Sequence, residues 1–365
     1  MENPLISVII PVFNIEGSKS LRSLIRILKR QNPIDFEVLI CDDGSEDNTI
    51  DYCLSLTDGD YRFKVVKCRH QGVSATRNKG IDMAKGRWIT FVDSDDLVTP
   101  SFLNPLLQQE LQDIDFIVFS YGMLTNEGIK LNIFEDNIYS GEYDVREALI
   151  GSDILHRCSP WGKFYKKEII NSYKIRFEEG LFNSEDRLFI YQYIQHISSI
   201  ASNSNLGYIY ESTSSTSLKH KKMTVDEIKK RQQLLSTESE RVMSAFGIGA
   251  QDSFKFNKQL LYLLKDAYLR ILRNKDNKHD TIEFQKEIIE EYLTKDWLDS
   301  INQDERMMKY ISSDIILKQI LEGKFKELNS FIKRKDFIIG VKRTIVGILS
   351  KNKSNPTFES HIQYY

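Results

Sequence analysis

Leu5-Ile6-Ser7-Val8-Ile9-Ile10-Pro11-Val12-Phe13-Asn14 begins as a nearly continuous apolar, β-branched run and ends in a turn-forming segment that continues to Ile15-Glu16. Such a run marks a parallel strand covered on both faces. Working outward, Leu21, Leu24, Ile25 and Leu28 follow at helical spacing. Phe36-Glu37-Val38-Leu39-Ile40-Cys41 is a second strand, and Ser45 is placed to cap the next helix. Phe63 to Val66 is a third strand, and Ser74 to Ala84 a helix with Gly86 as its C-cap. Trp88-Ile89-Thr90-Phe91-Val92 is a fourth strand, Pro100 starts another helix, and Ile114 to Ser120 is a further strand. This alternation predicts an open α/β sheet.

The chain has 365 residues, of which 41% are hydrophobic and 11% aromatic, enough for a substantial core. A net charge of −2 offers no whole-protein case for nucleic acid, and none is expected as a partner. Cys41, Cys53, Cys68 and Cys158 lack zinc or redox spacing and read as reduced thiols. Met1-Glu2-Asn3-Pro4 runs into a strand pattern without a basic leader, and no run of about 18 apolar residues occurs. The expected location is the cytoplasm, at most peripheral at the inner face of the membrane.

In an open α/β sheet, ligands bind at the carboxyl ends of the strands. Polar clusters fall at three of those ends: Pro11 to Glu16, Asp42-Asp43-Gly44-Ser45, and Asp93-Ser94-Asp95-Asp96. Acids gathered at one sheet edge repel one another unless a cation or a donor-rich ligand sits among them. Residues i and i+2 of an extended segment share a side, so Asp93 and Asp95 can face one site. One or two such carboxylates suit a hard divalent cation that takes its remaining ligands from phosphate and water. An Asp-x-Asp triplet alone is common in loops and caps; its company at matching strand ends gives it meaning.

Ser-Val-Ile-Ile-Pro-Val-Phe-Asn at 7–14, Asp-Asp-Gly-Ser at 42–45, Gly-Val-Ser-Ala-Thr-Arg-Asn-Lys-Gly at 72–80 and Phe-Val-Asp-Ser-Asp-Asp at 91–96 resemble, in order and spacing, the motifs of family 2 glycosyltransferases. The resemblance covers residues 5–100 and thins towards 218. It implies a GT-A fold, a Rossmann-like mixed sheet, and an inverting transfer from a nucleotide sugar. It implies that Pro11, Phe13, Asn14 and Glu16 line the nucleotide, and that Asp43, with Asp42 beside it, accepts a hydrogen bond from uracil. Ser74 and Arg77 would lie against the nucleotide. Asp93, with Ser94, would reach the ribose or a metal, and Asp95 would hold Mn²⁺ or Mg²⁺. Taken residue by residue, Asp42 also suits a helix cap and Arg77 a core salt bridge to an aspartate.

The family's inverting members use a carboxylate to deprotonate the acceptor hydroxyl. In Asn183-Ser184-Glu185-Asp186-Arg187-Leu188-Phe189, which resembles the family's Glu-Asp motif, Asp186 is the first choice of base and Glu185 the second. The alternative is that both merely complement a helix dipole. Trp161, in Ser159-Pro160-Trp161-Gly162-Lys163-Phe164, suits either stacking on an acceptor sugar or burial at a strand end. Ser215 to Ser217 and His220-Lys221-Lys222 suit a loop closing on diphosphate or a solvated linker.

The expected division is a GT-A domain at 1–218, a helical C-terminal domain at 219–333 and a basic amphipathic tail at 334–365. Phe256, Leu260, Leu263, Leu264, Ala267 and Ile271 form a helical stripe, and Leu317, Leu321, Leu328, Phe331 and Ile332 belong to another. In the tail, Ile338, Val341, Ile345, Ile348 and Leu349 share a face among lysines and arginines. That pattern suits a membrane interface, or packing on the same chain or on a second copy in a homo-oligomer. The expected reaction moves a hexose or N-acetylhexosamine from a UDP-sugar to a glycan or lipid-linked glycan acceptor in bacterial surface polysaccharide assembly. The rivals are another nucleotide sugar such as dTDP-rhamnose, and a non-catalytic scaffold of a synthase complex.

Overall fold

The structure is a computed structural model, and it describes residues 3–31, 34–152, 154, 158–181, 183–212, 224–249, 252–273, 299 and 301–332. The tail at 334–365, the 213–223 segment and the charged break at 274–280 lie outside the described residues.

The opening run becomes strand β1 (Ile6–Val12) at the middle of a mixed sheet. Beside it lie β2 (Phe36–Asp42), β3 (Phe63–Lys67) and β4 (Trp88–Phe91), giving the parallel order β3-β2-β1-β4. The sheet then turns mixed. Strand β9 (Lys163–Lys166) is antiparallel to β4 and to β6 (Phe116–Thr125), and β6 is parallel to β10 (Ser199–Glu211). Short β5 (Leu97–Val98) and β8 (Asn137–Ser140) pair with β10, and β7 (Gly128–Asn132) with β6. Pro11 is tolerated in a central strand because β1 pairs with β4 only as far as Ile9.

Alternate residues of the strands feed two cores, one on each face. Val8, Ile10, Val38 and Ile40 pack with Leu21, Leu24 and Leu28 of α1 (Lys19–Lys29). Ile9, Leu39 and Cys41 pack on the other side with Ile81 of α3 (Val73–Met83), Val145 of α4 (Glu142–Gly151), Ile170 of α5 (Lys167–Ser172), and Phe189 and Ile190 of α6 (Glu185–Ile194). Helix α3 lies so close that a Cβ on Gly80 would fall 2.5 Å from Ile9 Cγ2.

Three local expectations are corrected. Ser45 does not cap a helix: α2 (Thr49–Thr57) starts later, after Asn48, and Ser45 is drawn into a turn with Asp42. Pro100 does not start an α-helix; 3₁₀ turns at Asn104–Leu107 and Gln109–Leu111 follow it. Gly86 is not a C-cap; Ala84 ends α3, and Gly86 lets the backbone pass β1.

Two compact units divide the chain, Met1–Leu260 and Leu261–Tyr365. The first reaches past residue 218 because Val242, Phe246 and Ile248, on and after α7 (Val225–Ala245), complete the core under α6. The second contains the later turns of α8 (Phe254–Arg273), then α9 (Glu305–Ser313) and α10 (Ile315–Leu321). Asp304 and Asp314 cap α9 and α10 by accepting backbone N–H bonds. Among the described residues, no helix is long and apolar enough to cross a membrane.

At Gly86 an added Cβ would sit 2.5 Å from the Ser7 nitrogen and 2.6 Å from the Ile6 carbonyl carbon, both backbone. Gly86→Ala is therefore expected to destabilise the first unit by about 1–3 kcal/mol, the range for overpacking. A denaturant titration checks this; an unchanged midpoint would contradict the close approach.

Candidate active site

The ends of β1, β2 and β4 meet, as the topology requires: Asp43 donates its N–H to the Val12 oxygen at 2.9 Å, and Val92 to the Ile9 oxygen at 3.0 Å. The turn after β1 is locked to the turn after β2. Asn14 adopts a left-handed backbone (φ 48°), and its N–H donates to Ser45 Oγ at 2.8 Å while its side-chain oxygen accepts from Glu46 N–H at 3.0 Å. Glu16 accepts from Asn48 Nδ2 at 3.1 Å. Asp42 is fully buried and accepts from the Ser45 N–H at 3.1 Å and from its hydroxyl. Its carboxylate thus closes the turn.

Asp43 is buried beside it and organises the head of α3. Its Oδ1 accepts from Gln71 N–H at 3.0 Å, Gly72 N–H at 3.1 Å and the Thr76 hydroxyl at 3.0 Å. His70 Nδ1 lies 3.0 Å from Asp43 Oδ2, and the His70 ring stacks on Phe13 at 4.5 Å between centroids. Phe13 keeps 41% exposure, so this stacked pair forms an open aromatic lip beside Asp43. Pro11 is half-buried in β1, and Ser74 is buried in the first turn of α3.

Three residues later on α3, Arg77 joins the two remaining clusters. Its Nη2 donates to Asp93 Oδ1 at 2.8 Å and its Nη1 to Asp186 Oδ1 at 2.9 Å. The guanidinium side chain is 5% exposed, against 28% for Asp93 and 29% for Asp186. Burial alone would lower its affinity for the proton, but Asp186, Asp93 and Glu185 outweigh that and raise it. The Asp186 carboxyl is partly withdrawn from solvent. Burial, opposed by Arg77 and reinforced by Glu185 and Asp93, pushes it up to about 8. Burial also raises Glu185, again against Arg77.

The segment that delivers Glu185 and Asp186 is strained. Asn183 (φ 64°) and Ser184 (φ 96°) both hold backbone angles that L side chains rarely adopt. Strain of this kind, on the order of 1–3 kcal/mol per residue, collects at functional sites. It turns the chain so that the first turn of α6 presents its acids to Arg77. Asn78 steadies the approach: its amide donates to the Phe177 oxygen at 2.9 Å and accepts from Phe177 N–H at 2.8 Å.

The loop after β4 is anchored from β10. The Tyr208 hydroxyl accepts from Asp93 N–H at 3.2 Å and donates to Asp96 Oδ2 at 2.6 Å, and Glu211 N–H donates to Asp96 Oδ1 at 2.7 Å. Burial and the nearby Asp93 push the Asp96 carboxyl up to about 8. Asp96 is therefore a buried anchor. Ser94 is half-buried and Asp95 exposed at the tip of the loop.

Trp161 is 3% exposed and stacks on Tyr208 at 4.6 Å, nearly parallel, and on Tyr210 at 5.3 Å. The exposed sugar platform is thus corrected: the ring supports Tyr208, and through it the Asp93–Asp96 loop, because β10 brings two tyrosines against it. Tyr208, Asn78 and His70 were not picked out by sequence reasoning. Asn78 stood inside a quoted motif, whereas Tyr208 depends on strand pairing that no local pattern reveals.

Residues 7–173 match the sequence family described as Glycosyl transferase family 2. The chain is 28% identical over 204 residues to the putative glycosyltransferase EpsH of Bacillus subtilis, covering 53% of this chain and 56% of that protein. It is 31% identical over 197 residues to the poly(ribitol-phosphate) β-N-acetylglucosaminyltransferase TarP of Staphylococcus aureus, covering 52% and 58%. The chain thus spans about half the length of these curated relatives. The crystal structure of S. aureus TarS 1–349 in complex with UDP-GlcNAc has a TM-score of 0.66 at 18% identity, over 90% of each chain, a likeness of fold. Motifs, sheet and comparisons agree: residues 7–173 carry a match to glycosyl transferase family 2, in a chain with the GT-A fold and a helical C-terminal region.

Proposed function

We propose that the chain is an inverting glycosyltransferase that moves a hexose or N-acetylhexosamine from a UDP-sugar to a hydroxyl of a glycan or lipid-linked glycan in bacterial surface polysaccharide assembly. The observation that carries this reading is the single guanidinium of Arg77 holding Asp93 and Asp186. It brings a carboxylate of the strand-end loop and a carboxylate able to act as base to the same few ångströms. The TarP name and the UDP-GlcNAc complex of TarS support a UDP-N-acetylhexosamine within this range.

The donor's nucleotide lies along Pro11, Phe13 and Asp43, with the Phe13–His70 lip beside the base. Asp186 removes the acceptor proton as the acceptor oxygen attacks the anomeric carbon; Glu185 is the second choice. One oxygen of Asp93 accepts from Arg77, and Asp95 stands exposed two residues on. Among the described residues no three His, Cys, Asp or Glu side chains converge as metal ligands. Two carboxylates are nevertheless the donor set of an ion that fills its sphere with phosphate and water. Asp95 and Asp93 would hold Mn²⁺ or Mg²⁺, which when bound neutralises charge on the departing diphosphate. A lipid-linked acceptor and peripheral membrane contact belong to the same proposal, supported by the lysines and arginines at 333–353.

UDP release with a panel of UDP-sugars and Mn²⁺ tests the reading. Asp186→Asn and Asp95→Ala should each lower turnover, Asp186→Asn by about 10²–10⁴-fold, the usual contribution of a general base. Turnover surviving in both would overturn the assignment. The raised Asp186 carboxyl gives the sign of the pH profile. A base must be deprotonated, so kcat/KM should climb as pH rises towards and through about 8; a profile falling over that range would exclude Asp186. Tyr208→Phe removes the donor to a buried carboxyl, and a loss of about 1–3 kcal/mol in thermal or chemical unfolding is expected, with no change if the anchor is dispensable.

A further inference from the structure

Arg77 is placed to do more than neutralise acid. Its two terminal nitrogens go to carboxylates from different elements, one in the loop after β4 and one at the head of α6. Neither contact is the two-pronged fork that fixes an arginine to a single carboxylate. The guanidinium lies over the Phe177 ring at 5.2 Å, and its Nε is buried without a hydrogen-bond partner. It is therefore held between the two acids rather than free to follow either into solvent. A guanidinium also keeps its charge throughout the working pH range. One fixed positive charge is thus divided between two carboxylates.

We propose that Arg77 is a positioning residue that couples the donor end of the site to the candidate base. This rests on the reading that Asp93 serves the donor and Asp186 the acceptor. When Asp93 is drawn towards a donor carrying a divalent cation, the share of Arg77 held by Asp93 falls and its hold on Asp186 tightens. The base is then oriented when the donor is in place. Coupling of this kind is reciprocal: whatever frees Arg77 from Asp186 must strengthen its grip on Asp93 and oppose donor loading. The family resemblance alone had placed Arg77 against the nucleotide, where no such exchange would arise.

The reciprocal limb is testable without turnover. UDP binding to the full chain is measured by calorimetry with and without Mn²⁺, in the native protein and in Asp186→Asn. The guanidinium should settle on Asp93 in that variant, and UDP affinity in Mn²⁺ should fall by about fivefold or more, the lower end of typical site coupling. UDP affinity without Mn²⁺ should stay within about twofold, below that same coupling range. In an Arg77→Lys background, where a point charge cannot span both acids, the effect of Asp186→Asn should disappear. Melting curves verify folding, and Asp186→Ser serves if the amide is not accommodated. Unchanged Mn²⁺-dependent affinity in the Asp186 variant overturns the coupling, as does an equal loss with and without Mn²⁺, which would mean that Asp186 contacts the nucleotide. Retained turnover in the Asp186 variant would instead overturn the choice of base, so the two failures are distinct.

Discussion

The Arg77 guanidinium is the interaction on which this sheet edge depends. Asp93, Glu185 and Asp186 all act on it, and the Asp93 and Asp186 carboxylates lie within 3 Å of its nitrogens. Two like charges about 4 Å apart near a protein surface repel by roughly 4 kcal/mol. Without a buried cation, these carboxylates would be driven apart or pushed still further towards the protonated form. The cation is buried where it cannot be screened, and Gly80, Asn78 and Phe177 fix the helix and loop that hold it.

Around that charge, the edge is built mainly from side chains that bond to backbone. Asp42 and Ser45 close one turn and Asn14 hangs on it; Asp43 takes the N–H groups of the Gln71–Gly72 turn; Asn78 pairs with both backbone groups of Phe177. Each satisfies polar groups that would otherwise be unpaired at a crowded strand end. The left-handed pair Asn183–Ser184 persists because Phe177 and Phe189, stacked at 4.1 Å on either side of it in the chain, are packed in the core. Family motifs at 42–45 and 72–80 therefore supply much of the scaffold of this edge.

Legibility followed the range of each interaction. Apolar runs at Ile6–Val12 and Phe36–Asp42 were readable because a two-face-buried strand needs no polar alternation. The α1 stripe was readable because Leu21, Leu24 and Leu28 repeat at helical spacing. The start of α2 was misplaced because the Ser45 hydroxyl serves a turn that a cap rule cannot distinguish. The dual character of Trp161 stayed open for a similar reason: the same ring suits a sugar or a core, and its neighbours Tyr208 and Tyr210 arrive from a strand some fifty residues on. Tyr208 lies in β10, and its hydroxyl finds Asp96 only through the sheet.

The sequence by itself determined the α/β class, the family resemblance and the list of acids at the strand ends. Those properties rest on local periodicity and on short motifs whose residues are neighbours in the chain. Tertiary structure alone decided how each acid is held. Asp42 and Asp96 are absorbed into the scaffold, Asp95 is left exposed, and Asp93 and Asp186 are bound to one arginine. The physical reason is that a carboxylate's role is set by burial and by the donors around it. Here those donors come from β10, α3 and α6, which only the folded sheet brings together.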